Sequence, residues 1–294
     1  MKKIIYLLII SFIITSCDNN NDKADAYGNF EATEVIVSAQ ANGQIISFSP
    51  EEGIELKQNE IVGLIDTTVL HLNKKLLAQQ KVTIASQFSN LSSEIEVQKQ
   101  QLANTKINQE RITNLFKEGA ATQKQLDDVN GSVDLIKKQI LAVNTKRNSI
   151  SDQIKGVDIQ IEQINDAISK CNISNPVTGT VLVKYAENGE ITGIGKPLYK
   201  IADLIQMKLK AYISGAQVPN VKIGQQVEVS FDKSKNKNTT VNGTVSWISE
   251  TAEFTPKTIQ TKQERVNLVY AIKITVINNG TIKIGMPGEV RFTN

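Results

Sequence analysis

The chain has 294 residues, 40% of them apolar and only 5% aromatic, with a formal net charge of +3. That length holds two or three modest domains. Near-balance between 33 basic and 30 acidic residues, without a basic cluster, argues against nucleic acid as partner.

Met1-Lys2-Lys3 precedes an apolar run from Ile4 to Ile14 and then Thr15-Ser16-Cys17. These are the charged and apolar regions of a secretory leader, and the apolar run is short for a membrane span. Ile14-Thr15-Ser16-Cys17 resembles a bacterial lipobox, so residues 1–16 are expected to be a lipoprotein signal peptide and Cys17 the lipidated, palmitate-bearing residue. The alternative is an uncleaved short anchor; a Cys at that boundary, followed by the polar Asp18-Asn19-Asn20-Asn21-Asp22, favours lipidation. Acyl chains on Cys17 would hold residues 17–29, a tether, at a membrane by burying methylenes. In enterobacterial lipoproteins an Asp directly after the lipidated Cys, here Asp18, favours retention in the inner membrane, a rule that differs between bacterial groups. Loss of the leader takes Lys2 and Lys3 from the 33 basic residues, leaving 31 against 30 acidic ones. It also leaves Cys171 as the one remaining thiol, so no intrachain disulfide can form, and Cys171 reads as a small buried apolar residue.

Residues 30–66 carry Gly-punctuated strand patterns, and two long helices follow across 67–171. The outgoing helix repeats Leu77, Lys81, Ile84, Phe88, Leu91, Ile95, Gln98, Leu102, Thr105, Gln109, Ile112 and Phe116 in steps of four and three, apolar at eight of twelve positions. The return helix repeats Leu126, Val129, Val133, Ile136, Ile140, Val143, Arg147, Ile150, Ile154, Val157, Ile161, Ile164, Ile168 and Cys171, broken only by Arg147. A period of roughly 3.5 residues makes a narrow stripe that supercoils against a partner helix. A parallel dimer with another chain is the alternative to an intrachain hairpin. The hairpin is favoured because Gly119 suits a left-handed helix stop and Thr122 with Gln125 forms a capping box, joining arms of about fifty residues each. At ~1.5 Å per residue each arm reaches roughly 75 Å, a spacer's length.

Residues 172–203 repeat the first β pattern. A shift of 136 positions superposes Gly43 on Gly179, Ile45 on Val181, Glu51 on Glu187, Gly53 on Gly189, Val62 on Leu198 and Ile65 on Ile201 without a gap. Neither half can bury a core alone, so the two are expected to fold against each other with the hairpin projecting from them. In residues 204–294, Gly224 to Phe231, Asn242 to Ile248 and Ile284 to Phe292 each place a Gly turn before an alternating strand, the pattern of a small antiparallel barrel.

Catalysis has little to stand on. The single His71 has no Cys or acidic residue at ligand spacing, the three Met are scattered, and no phosphate loop or nucleophile elbow occurs. No catalytic, metal-binding or cofactor-binding residue is expected, and the chain reads as not an enzyme.

These features together resemble the HlyD-type periplasmic adaptors, or membrane fusion proteins, of Gram-negative export pumps. The resemblance implies an elongated α+β fold: a split lipoyl-like (barrel-sandwich hybrid) domain interrupted by a long antiparallel α-helical coiled-coil hairpin, then a small antiparallel β-barrel. It rests on Ala41-Asn42-Gly43-Gln44-Ile45 with Glu52-Gly53, and on Asn175-Pro176-Val177-Thr178-Gly179-Thr180-Val181 with Asn188-Gly189. The hairpin stands where a true lipoyl domain displays its modifiable Lys, so no covalent cofactor is implied. At the tip, about 111–126, Arg111, Leu115 and Thr122 match the Arg, Leu and Ser spacing with which such adaptors dock on TolC-like outer-membrane channels, Thr replacing Ser. Glu253 to Thr261 and Glu264-Arg265, leading to Leu268-Val269-Tyr270, look like the YbhG-like branch that serves ABC-type exporters. Many adaptors of resistance-nodulation pumps continue past the barrel, whereas this sequence stops at Asn294. The implied partners are an inner-membrane ABC-type exporter, a TolC-like channel, further copies of the chain in a ring of six, and the membrane through the lipid, with no nucleic acid. The implied location is the periplasm, anchored to the inner membrane. The alternatives are an adaptor of a resistance-nodulation pump, a non-export envelope scaffold lipoprotein, and a carrier enzyme subunit using the split domain as a swinging arm.

Overall fold

The computed structural model describes residues 24–234, 237–254 and 268–293. The expected signal peptide, Cys17 and most of the stretch Glu253 to Arg265 lie outside the described residues. Among those described, no helix is long and apolar enough to cross a membrane.

The two β patterns found 136 residues apart fold into one another. In the first half β1 (Ala26–Ser38) is followed by β2 (Gly43–Phe48), β3 (Glu55–Leu56) and β4 (Ile61–Ile65). After the helices α1 (Thr68–Lys117) and α2 (Gln123–Lys170) come β5 (Asn172–Ser174), β6 (Gly179–Lys184), β7 (Ile191–Thr192) and β8 (Pro197–Ser214). β3 of the first half pairs with β6 of the second, and β7 of the second pairs with β2 of the first. The Gly53 amide donates to the Val181 carbonyl at 2.9 Å, and its repeat partner Gly189 donates to Ile45 at 2.8 Å. Likewise Ile45 N–H reaches Glu190 O and Val181 N–H reaches Ile54 O, at 2.8 and 2.9 Å. Both glycines sit at φ 88°, the left-handed region that a side chain disfavours. Each half therefore supplies the hydrogen-bond partners the other lacks. Their shared core holds Ile45, Ile65, Leu198, Tyr199 and Ile201.

The helices form the expected hairpin, α1 with 50 residues and α2 with 48. Every predicted seam position of α2 is buried or half-buried, as is every one of α1 except Phe116. Phe116 is 36% exposed because α2 begins only at Gln123 and puts its first seam residue, Leu126, further in. The turn closes as the residues dictate. Gly119 takes φ 74°, its amide donates to Phe116 O, and Ala120 donates to Leu115 O, which satisfies carbonyls left free at the end of α1. Thr122 and Gln125 then form the reciprocal capping box that starts α2.

The remaining strands are β9 (Gln226–Ser234), β10 (Lys237–Ile248), β11 (Glu253–Phe254), β12 (Leu268–Ile277) and β13 (Pro287–Phe292). Six strands close a barrel in the order β12, β10, β9, β13, β1, β8, with β8 pairing back onto β12. The sequence places the barrel in 204–294 and a tether in 17–29, but β1 crosses that boundary. Ala26–Asn29 pair with Pro287–Val290, and Phe30 is wholly buried in the barrel core. Residues after 204 supply only five strands of the closed barrel, which would leave β8 and β13 with facing open edges; β1 fills the gap. Phe30 packs edge-on to Phe231 with ring centroids 5.9 Å apart. β8 likewise runs through both β modules, and its extra residues opposite Glu31 and Thr33 mark where it passes from one to the other. Asn278 pins that passage, its amide donating to Leu204 O and Ile282 O.

Candidate functional site: the hairpin tip and its base

Arg111 and Leu115 lie one turn apart on α1, both on the exposed side near its end. The Arg111 guanidinium donates to Asn108 Oδ1 at 2.7 Å, which holds its long side chain against the helix without shielding it from solvent. Leu115 is 36% exposed, and Phe116 beside it extends the apolar surface. Thr122 stands across the turn. Its hydroxyl accepts from Gln125 N–H, and its own N–H donates to Gln125 Oε1 at 2.8 Å, so the side chain is engaged in capping α2. The structure thus groups Arg111 and Leu115 on one helix and gives Thr122 a structural task at the opposite side of the same turn. Phe116 escaped the sequence reading because its heptad position predicts burial; the signal was its place at the last seam position before a Gly stop.

At the opposite end of the hairpin, Asp66 Oδ1 accepts from both Thr68 N–H and Thr68 Oγ1, at 2.8 and 2.6 Å, and starts α1. These bonds hold the Asp66 carboxyl below its usual range. A cavity of about 540 Å³ opens there, lined in part by Asn42, Asp66, Val69, Lys170, Cys171 and Ile194. Cys171 caps α2, only 1% exposed, with its thiol directed at Ala167 O, 3.4 Å away. Burial, with Asp66 nearby, pushes that thiol's pKa up. His71 lies exposed on the first turn of α1.

Where the two β halves cross, Lys184 lies between Glu51 and Glu187, with Nζ 2.8 Å from each carboxylate and over the Phe48 ring at 5.8 Å. Glu51 and Glu187 are equivalents under the 136-residue shift, while Lys184 stands where the first half has Phe48, so a symmetric pair of carboxylates is bridged by a cation that departs from the symmetry. A second departure from symmetry is buried. Tyr199 donates to Asn175 Oδ1 at 3.1 Å, while its equivalent in the first half is Gly63, where a Cβ would meet Ser47 O at 2.6 Å. Burial drives the Tyr199 pKa well above the usual phenol range.

In the barrel, Glu253 lies at the described start of the stretch likened above to the YbhG-like branch, and its carboxylate is 3.4 Å from Lys210 Nζ. Among the described residues no three His, Cys, Asp or Glu side chains gather as a metal site.

Residues 204–292 match the family described as LcnD-like, C-terminal domain. A UPF0194 membrane protein of Yersinia pseudotuberculosis is 33% identical over 118 residues, an alignment covering 40% of this chain and 35% of the relative. A UPF0194 membrane protein of Yersinia enterocolitica is 32% identical over 119 residues, 40% and 36% of the two chains. The chain therefore matches about a third of the length of these curated relatives. Among solved structures, MacA from Actinobacillus actinomycetemcomitans superposes with a TM-score of 0.58 at 21% identity, covering 90% of this chain and 76% of MacA. The membrane fusion protein Spr0693 from Streptococcus pneumoniae R6 superposes with a TM-score of 0.60 at 12% identity, covering 91% and 98%. At these identities the superpositions speak for the fold: the chain shares the architecture of MacA and Spr0693, and its C-terminal residues are similar to the LcnD-like C-terminal domain.

Proposed function

We propose that the protein is the periplasmic adaptor subunit of a tripartite export pump, joining an inner-membrane ABC-type exporter to a TolC-like outer-membrane channel. One observation carries this reading: a hairpin of two helices with 50 and 48 residues projects from the interlocked β halves and ends in an exposed tip bearing Arg111 and Leu115. A spacer of that length has no role in filling a core; it places a tip far from a base. On this reading lipid on Cys17 holds the chain to the inner membrane, six copies pack side by side into a tube, and the barrels rest on the exporter. The Arg111 guanidinium, with several donors near a helix end, meets carbonyls at the channel rim, and Leu115 packs beside it. Thr122 sets the turn that presents them. Energy for transport comes from the exporter, and the adaptor contributes distance, sealing and communication. Individually modest tip contacts gain strength by repetition around the ring.

Replacing Arg111 with Asp tests this directly. The expected result is loss of export with unchanged melting temperature and membrane attachment; undiminished export would refute the tip assignment.

A further inference from the structure

We infer that the hairpin has a built-in flexion point at its middle, where the seam is notched by buried polar atoms that find no partner. Arg147, at the centre of α2, enters the seam with its guanidinium 5.8 Å over the Phe88 ring, and its Nε is buried without a hydrogen bond. Gln98 Oε1, on the facing helix toward the tip, is also buried and unpartnered. A buried polar atom left without a partner costs the desolvation it never recovers, and opening the seam at that level returns its water.

The neighbouring residues weaken the same level. Toward the tip the α2 seam is buried at Val129, Val133 and Ile136, whereas Ile140, Val143 and Arg147 at the centre are half-buried; toward the base Ile150 and Val157 are buried and Ile154, Ile161, Ile164 and Ile168 half-buried. On α1, Ser86, Ser89, Ser92 and Ser93 each turn a hydroxyl onto the carbonyl four residues back, at 3.1, 3.2, 2.9 and 3.2 Å. Such back-bonds loosen and bend helices, and these four fall within eight residues, where the flanking stretches carry single threonines. Leu91 and Ile95 keep the middle closed at rest.

Both flanks are tied across the seam. Toward the base, Lys81 Nζ meets Asp158 Oδ1 at 2.6 Å; toward the tip, Gln109 Nε2 donates to Asn130 Oδ1 at 2.8 Å. The hairpin is thus two clamped segments about an unclamped centre. Only the consequence rests on the adaptor reading: the tip tilts to meet its partner while the base stays docked.

Hydrogen–deuterium exchange on the full chain tests the inference without exporter or channel, so its failure leaves the adaptor reading standing. Amides in 86–98 and 140–150 are expected to exchange roughly tenfold faster than those in 102–112 and 154–164, and the double variant Gln98→Leu, Arg147→Leu to bring the centre down to the flanks' rate. Uniform exchange along the wild-type hairpin overturns the inference, whether or not the double variant folds. A fast centre that the double variant leaves unchanged overturns the assignment to these two side chains.

Discussion

Thr122 shows how one side chain can be read twice. Its spacing from Arg111 and Leu115 matches a docking pattern, and its spacing from Gln125 matches a capping box; the hydroxyl is engaged in the second. Thr122→Ala should therefore destabilise the protein by about 1 kcal/mol in urea unfolding, with Thr122→Ser close to wild type. Equal stability of all three proteins would remove the cap from the account. Lys184 is the clearest residue that sequence reading passed over. A lone lysine in a strand carries no local signal, and only the superposition of Phe48 on Lys184 and Glu51 on Glu187 hints that one cation will face two carboxylates. Hydrogen bonds to Glu187 first and Glu51 second raise its pKa. A folded-state pKa above the unfolded one gives stability that is complete below the ordinary lysine pKa and lost as pH climbs through the folded value. Lys184→Met should thus show a shallower loss of stability on the alkaline side than wild type; parallel alkaline limbs would contradict the clamp.

Helical elements were legible almost to the residue, because a heptad seam is local and each of its positions repeats the same physical demand. The exception, Phe116, marks where the partner helix runs out. Ile140 lies in this seam, half-buried, and a carboxylate there would take the place of an apolar side chain packed toward α1. Ile140→Asp should cost about 3 kcal/mol and lower the helical signal in thermal unfolding monitored by circular dichroism. An unchanged melting temperature would mean that the two helices do not depend on the seam. The strands were less legible. The internal repeat announced the interlocked halves, since Gly53 and Gly189 stand at equivalent positions and each bonds across to the other half. Barrel closure was hidden: Ala26 to Glu31 carry little that distinguishes a tether from a strand, and their role depends on edges formed by residues more than 170 positions away, such as Leu209 and Pro287.

At the scale of the whole molecule, β1 and β8 matter most. Each runs unbroken through the barrel and the interlocked halves, contributing to both cores, so the two β modules share strands where a linker might have joined them. On the proposed adaptor reading, these shared strands would couple the barrel to the β halves in which the hairpin is rooted at Asp66 and Cys171. The central claim is that the tip, and not another surface, meets a channel at the far end. Site-specific photocross-linking in intact cells tests it most directly, with the probe at Leu115 and, for comparison, at Ile223 in the turn between β8 and β9, and with the products identified by mass spectrometry. The account predicts an outer-membrane channel protein at Leu115 and an inner-membrane exporter at Ile223. Adducts at Leu115 confined to inner-membrane proteins, or none there while Ile223 cross-links efficiently, would contradict it.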